Sequence, residues 1–301
     1  MAFLTIFSAP KPFTDPHIAT IQRNAIQSWQ HLGDQVDVLL VGEEPGLADV
    51  AKEFGVRLLT EVDRNEKGTP LVNSIFDLAR QACDSPLLVY VNADILLLPD
   101  ILEAAKQVSD QVDDFLIVGQ RWDLDVRRPL DFSPDWDQRL RDEAQENGRL
   151  HLPAGSDYFV YPRALFQDLP GFAIGRAGWD NWMIYYARQQ DWLVVDGSPS
   201  IFVIHQAHEY GHLPGGKPHY TLDESRQNEA VAGGSANLYM VLDSQVEIRD
   251  GALRRPRPNF IQALRRGEVW LTPADGKRQG MRWSAARQLR RLRRRLTGSL
   301  Q

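Results

Sequence analysis

Cysteine is almost absent: Cys83 is the only one in 301 residues. That excludes an internal disulfide framework and a multi-cysteine zinc module. No apolar run approaches the roughly 18 residues that cross a membrane. No internal repeat is visible. There is no GxGxxG after the first apolar run, and no GxxxxGK followed by Ser or Thr anywhere. A dinucleotide or P-loop reading therefore lacks its phosphate cradle. The opening MAFLTIFSAPKPF has no basic lead-in and breaks at Pro10, so it is a poor signal peptide, and a cytoplasmic protein is expected. Acidic residues are missing from the last stretch. From Lys277 onward there are nine Lys or Arg and no Asp or Glu. Residues 1–276 carry 25 basic and 40 acidic residues, a net charge of −15 against −6 for the whole chain. An acidic body does not suggest nucleic-acid binding.

What remains is ordinary for a globular protein, 43% hydrophobic and 25% charged. AFLTIF reads as a buried strand ended by Ser8-Ala9-Pro10. Thr14-Asp15-Pro16 is a helix start, and Ile18, Ile21, Ala25, Ile26 and Trp29 then follow on one face up to Gly33. VDVLLVG is a strand, GLADVAKEFG a helix ended by Gly55, VRLLTEV a strand and TPLVNSIFDLARQA a helix. PLLVYVNADILLLPD contains a fully apolar strand. Strands alternating with helices predict βαβ units and a mostly parallel α/β sheet covered on both faces. Ligands bind at the carboxyl ends of such strands, which brings Ser8–Lys11, 63–67 and 92–94 together. The middle, 115–204, reads as mixed: FLIVGQRW, SDYFVYP, WLVVD and SIFVI as strands, SPDWDQRLRDEAQENG and WDNWMIYYARQQ as helices. RRPRP (254–258) reads as a linker to two C-terminal helices.

Three stretches carry chemistry. In VYVNADILLLPD a strand runs out onto Asn92 and Asp94. An aspartate there either holds a hard divalent cation through oxygen or forms a hydrogen-bonded turn. In GWDNW, Asp180 stands at a helix start, where it can cap the helix. HEYGH (208–212) matches the HExxH pattern of zinc proteases, which needs His208 and His212 one turn apart on a stable helix with Glu209 as base. The context opposes this: IFVI upstream is strand-like, and Gly211 and Pro214 shorten any helix to about two turns. The extended pattern also misses, since the third histidine is His219 and not residue 218.

Taken in order, SAPKPF after the first strand, NADI, GSDYFVYPR, and GWDNWMIYYAR followed by a strand and a His-rich loop resemble GT-A-type glycosyltransferases, enzymes that use nucleotide sugars. The chain is most similar to a poorly characterised group with an HQxHxYxH segment. The resemblance spans about residues 1–245, the expected domain, with 246–301 as a C-terminal helical extension. It implies a GT-A-like, Rossmann-like fold. It implies a DxD-type site at Asn92-Ala93-Asp94, where only Asp94 carries over as a charged ligand for Mn²⁺ or Mg²⁺. Asn92 then contacts the ribose, and metal dependence stays open. Ser8, Ala9, Pro10 and Lys11 match the place where the nucleotide is held. Asn65 and Asn73 match the base- and ribose-contacting region, or else serve an ordinary turn and helix start. Asp180 matches the acid that deprotonates the acceptor hydroxyl in inverting enzymes, with Trp179 and Trp182 as a dry, sugar-stacking wall and Asp157 as an acceptor contact. A histidine after the last core strand completes the metal shell: His205 first, His208 second. The other reading of these histidines is a polar loop bonded to backbone. LPGGKPHYTLDESRQNEAVAGGS reads as a Gly-rich mobile segment able to close over the donor.

Trp283, Ala286, Leu289, Leu292 and Leu296 share one side of the last helix, and six arginines from 287 to 295 cover much of the rest. Such a helix can lie on an anionic membrane at the inner face of the cell, pack on the acidic body, or bind a partner. The expected activity is sugar transfer from a UDP- or GDP-linked donor to an acceptor hydroxyl. The alternatives are a non-catalytic nucleotide-sugar-binding protein of the same fold, a sugar nucleotidyltransferase, for which SAPKPF is a poor match, and an HExxH zinc metallohydrolase.

Overall fold

The computed structural model describes residues 1–208, 222–273 and 279–298. Chain order begins β1 (Leu4–Ser8), α1 (Pro16–Gln30), β2 (Val36–Val41), α2 (Leu47–Phe54), β3 (Arg57–Leu59), α3 (Val72–Ala82), β4 (Leu87–Val91) and β5 (Ile95–Leu97). It continues through α4 (Asp100–Ser109), β6 (Phe115–Val118), β7 (Trp122–Leu124), α5 (Trp136–Asn147), β8 (Arg149–Leu150), β9 (Tyr158–Pro162), α6 (Trp179–Gln189), β10 (Leu193–Asp196) and β11 (Val203–Gln206). The last elements are α7 (Asp223–Val231), β12 (Val246–Arg249), β13 (Ala252–Arg254), α8 (Phe260–Leu271) and α9 (Gly280–Gly298).

The architecture is α/β: a nine-stranded sheet in the order β13-β12-β10-β6-β9-β4-β1-β2-β3, flanked by helices. It is mostly parallel; β9 runs antiparallel between β4 and β6, and β13 antiparallel on β12. Strand β1 shows why the apolar runs are continuous. Leu4 and Ile6 enter the core under α1, α2 and α4, while Phe7 enters the opposite core with α3 and α6. Side chains alternate between faces, so a strand buried on both faces must be apolar at nearly every position. Helix α1 starts as its sequence predicts: the Asp15 side chain accepts from the amides of His17 and Ile18, both at 2.9 Å, with Pro16 in the first turn.

A second, four-stranded sheet, β5-β11-β7-β8, packs with α5 over its own small core. It is built from pieces that the sequence reads as parts of longer strands. PLLVYVNADILLLPD splits into β4 and β5, which lie in different sheets. FLIVGQRW likewise splits into β6 and β7 at the turn 119–121. β12 and β13 add to the central sheet, so residues 246–254 complete the body rather than open the extension. The extension proper is the hairpin of α8 and α9. The apolar side of α9 is used within the molecule: Ala286 is fully buried, and the Leu289 side chain lies against Gly267 of α8. Leu292, on the same side, is 41% exposed. Among the described residues no helix is long and apolar enough to cross a membrane.

Candidate active site

The two sheets meet at Asn92–Asp94, and this junction builds the site. The chain leaves β4 at Val91 and turns, with the Ile95 amide donating to Asn92 O at 3.1 Å, before entering β5. β11 pairs antiparallel with β5, setting His205 opposite Ile95, and the Gln206 amide donates to Asp94 O at 3.0 Å. Register alone therefore puts His205 beside Asp94. His205 lies within β11, not after it as the sequence suggests. Gln206 is fully buried and fixes β11 to α1: its Nε2 donates to Ile21 O at 2.7 Å, and its Oε1 accepts from Asn24 at 3.0 Å.

Asp94, His205 and His208 each offer one ligand atom, all within 4.8 Å of one another. His208 Nε2 stands 3.0 Å from Asp94 Oδ2. Lys11 Nζ reaches both, 3.4 Å from Asp94 Oδ2 and 3.1 Å from His208 Nε2. Burial works against charge on Asp94, but Lys11, the hydrogen bond from His208 and nearby His205 hold its carboxyl well below the usual range. A carboxylate and two imidazoles can hold a first-row divalent transition-metal ion, Mn²⁺ among them, and the ammonium of Lys11 stands where positive charge is favoured.

His205 is oriented from behind. Its Nδ1 pairs with Asp123 Oδ1 at 2.9 Å, which leaves Nε2 for a metal. β7 pairs parallel with β11, and that register sets Asp123 beside His205. Asp123 also meets His151 Nδ1 at 2.8 Å and accepts from Arg121 Nε at 2.9 Å. Burial opposes its charge, yet the two histidines and Arg121 lower its pKa strongly. Arg121 in turn donates to Asp157 Oδ2, and Asp157 Oδ1 accepts from Asn92 Nδ2 at 2.9 Å. Asn92 Oδ1 accepts from the Tyr90 hydroxyl at 3.0 Å. The asparagine in the DxD position thus ties the turn to Asp157.

A cavity of about 740 Å³ opens over this junction. Ala9, Pro10, Lys11, Asn92, Asp94, Asp157, Asp180, His205 and His208 line it. Asp180 is the second residue of α6, whose N-cap is Gly178, and its Oδ1 accepts from the Gly178 amide at 3.3 Å, so it also holds the helix start. Burial, with Asp157 adding repulsion against the helping backbone amides, raises its pKa to about 6. Close approach here depends on Gly155: a Cβ there would sit 2.7 Å from Asp180 Oδ2.

Other expected residues stand elsewhere. Ser8 is fully buried, donates to Val91 O at 2.6 Å and does not face the cavity. Asn65 is absorbed in a turn, its Oδ1 accepting from the amides of Lys67 and Thr69 while Nδ2 donates to Glu224 at 2.8 Å. Asn73 lies on α3 away from the cavity, its Oδ1 buried without a partner among the described residues. Trp182 is a core residue, stacked on Tyr186 at 4.7 Å, and does not line the cavity. Trp179 reaches the wall but is only 4% exposed. Its ring packs against Tyr90 and Phe159 at 5.1 and 5.5 Å, so no ring face is open for sugar stacking.

His208 follows β11 outside any helix, with its ring on Asp94, which gives the zinc-protease reading no support. Glu209, Tyr210, Gly211 and His212 lie outside the described residues, as does 213–221 of the expected mobile segment. The rest of that segment is built differently from expectation. α7 is pinned: Glu224 accepts from Thr69, Asn65 and Arg176, and buried Asn228 bonds both backbone groups of Ala173.

No protein-family model matches this chain, and no curated protein matches it. Among solved structures it is similar to glucosyl-3-phosphoglycerate synthase of M. tuberculosis, with 17% identity, 85% of this chain and 93% of that chain covered, and a TM-score of 0.47. It is similar to the mannosyltransferase PcManGT of Pyrobaculum calidifontis in complex with GDP-Man and Mn²⁺, with 14% identity, 75% and 69% covered, and a TM-score of 0.44. It is similar to S. aureus TarS in complex with UDP-GlcNAc, with 10% identity, 77% and 66% covered, and a TM-score of 0.49. Likenesses of this degree carry no activity over to this chain.

Proposed function

We propose that this protein is a GT-A-like glycosyltransferase that moves a sugar from a UDP- or GDP-linked donor to an acceptor hydroxyl. One observation carries the reading: a single cavity holds a cation-binding set, Asp94, His205 and His208, together with a carboxylate whose pKa is raised to about 6, Asp180. Transfer of a sugar needs both. The leaving diphosphate must lose its negative charge, and the acceptor hydroxyl must lose its proton.

Asp94, His205 and His208 would hold Mn²⁺ or Mg²⁺, which when bound supplies charge neutralisation to the leaving diphosphate. Lys11, already at that place, adds a second positive charge that turns to the phosphates. Asp123 keeps His205 in the tautomer that presents Nε2. Ala9 and Pro10 form the wall at the exit of β1, where the nucleotide is placed. Asn92 acts indirectly, holding Asp157 and the turn that presents Asp94. Asp180 is the base of an inverting reaction, since a carboxylate with pKa near 6 is ionised at neutral pH yet basic enough to take a proton in the transition state. Asp157 and Arg121 border the same space and position the acceptor.

The test is release of nucleoside diphosphate from UDP- and GDP-sugars in the presence of Mn²⁺, across a panel of hydroxyl acceptors. The account predicts turnover with one donor class, lost in Asp180→Asn while the donor still binds. Donor binding with no turnover on any acceptor contradicts it and favours the non-catalytic binding protein. No donor binding at all contradicts both.

A further inference from the structure

The C-terminal hairpin does more than close the body, because its arginines form a wall of the same cavity. Arg265 of α8 and Arg290, Arg293 and Arg294 of α9 all line it. Their carboxylate partners are few. Glu268, 1% exposed, accepts from Arg265 Nη1 at 3.0 Å, Arg290 Nε at 2.7 Å and Arg293 Nε at 3.0 Å. Asp243 accepts from Arg265 Nε at 3.0 Å on both oxygens and from Nη2 on Oδ2 at 2.7 Å. Among the described residues four guanidinium groups thus stand against two carboxylates, with Arg265 and Arg293 more than nine-tenths buried. Buried charge without compensation is costly. Burial, the largest cause, pushes the Arg293 guanidinium down against the pull of Glu268, with Arg265 and Arg294 adding to burial.

The cluster belongs to one side of the cavity. Asn181, next to Asp180, donates to Tyr239 O and accepts from the Tyr239 amide at 3.1 Å. The preceding residue, Leu238, accepts from Arg265 Nη2 at 3.3 Å. Two backbone steps therefore join Asp180 to the arginines, whereas the metal-type ligands stand at the start of β5 and the end of β11.

We propose that Arg290, Arg293 and Arg294 form a subsite for a dianionic, phosphate-type group carried by the acceptor. This rests on the reading above only in that Asp180 marks the acceptor side. A dianion matches the two positive charges in excess, and guanidinium groups bind phosphate oxygens in forked pairs.

Inorganic phosphate serves as the probe, titrated calorimetrically into the full chain at constant ionic strength, with acetate as the monoanion control. The variants are Arg294→Ala and Asp94→Ala. Arg294 is exposed at the rim, so its removal leaves the Glu268 knot in place. The proposal predicts that phosphate binds more tightly than acetate, that Arg294→Ala weakens phosphate binding roughly tenfold, and that Asp94→Ala leaves it unchanged. Phosphate binding no tighter than acetate, equal binding by Arg294→Ala, or loss in Asp94→Ala overturns it. The transferase reading fails separately: nucleotide binding can be absent while the arginine-dependent phosphate site persists.

Discussion

Asp180 links chemistry to stability at the scale of one residue. Its folded pKa, about 6, lies above the ordinary aspartate value of 3.8. A proton is therefore held more tightly in the folded state than in the unfolded one, and stability falls as pH rises between these values. Above about pH 6 the full cost is present. Asp180→Asn removes that cost, so its Tm should exceed that of the parent at pH 7.5 and match it at pH 3.5. The same substitution should lower turnover by roughly 10²- to 10⁴-fold. In the parent, the rate should fall as pH drops through about 6, because the base becomes protonated. A Tm that rises while turnover is unchanged would mark Asp180 as a strained but idle group. His205 offers a second case. Asp123→Asn removes the carboxylate behind its ring and should weaken Mn²⁺ binding about 10- to 100-fold in a calorimetric titration. Unchanged affinity would mean that His205 is not a ligand. Asp94 was readable from its place past a strand end, and His205 and His208 from the resemblance; the structure brings the three together. Arg121, Asp123 and His151 were not, because they act across strands and follow no motif.

Elements were legible wherever apolar periodicity was long. β1, β2, β4, α1 and α3 stand where their sequences place them, give or take their ends. The second sheet was not legible as a sheet: β5, β7 and β8 are two or three residues each, too short for a period; β5 and β7 continue runs that begin in the other sheet, and β8 directly follows α5. Asn92 and Asp94 mark the crossing, since their side chains favour turns over strands. The segment after residue 221 misled for the opposite reason. DESRQNEAV is polar and reads as loop, but its helix is held by buried side-chain hydrogen bonds rather than by an apolar face. Asn228, 2% exposed, carries much of that hold, and Asn228→Ala leaves the Ala173 amide and carbonyl unpaired. Chemical denaturation should show a loss of about 2–4 kcal/mol. A loss under about 0.5 kcal/mol would show that α7 is anchored elsewhere.

Across the whole molecule the C-terminal hairpin is the part least readable in advance. The stripe of arginines on α9 was plain, yet charge pattern alone does not say whether a basic helix meets a membrane, a partner or its own body. Here three guanidinium groups converge on Glu268. Burial raises its pKa, but Arg265, Arg293 and Arg290 outweigh burial and hold it below the ordinary glutamate value of 4.5. Its contribution is therefore present above about pH 4.5 and lost as pH falls through the folded value. Glu268→Gln should destabilise the chain by about 3–5 kcal/mol, since it leaves buried Arg293, and Arg290 beside it, with a neutral acceptor in place of their carboxylate. Protease resistance of α9 should fall with it; an intact hairpin in the variant would show that apolar packing suffices.

The central claim is that Asp94, His205 and His208 hold a divalent ion beneath a nucleotide diphosphate. Thermal stabilisation by UDP, GDP and their sugars, with and without Mn²⁺ and beside Asp94→Ala, tests it most directly, because a ligand that binds the folded state raises Tm by mass action. The account predicts a Mn²⁺-dependent rise with one nucleotide that disappears in Asp94→Ala. No rise with either nucleotide, or a rise that Asp94→Ala retains in full, contradicts it.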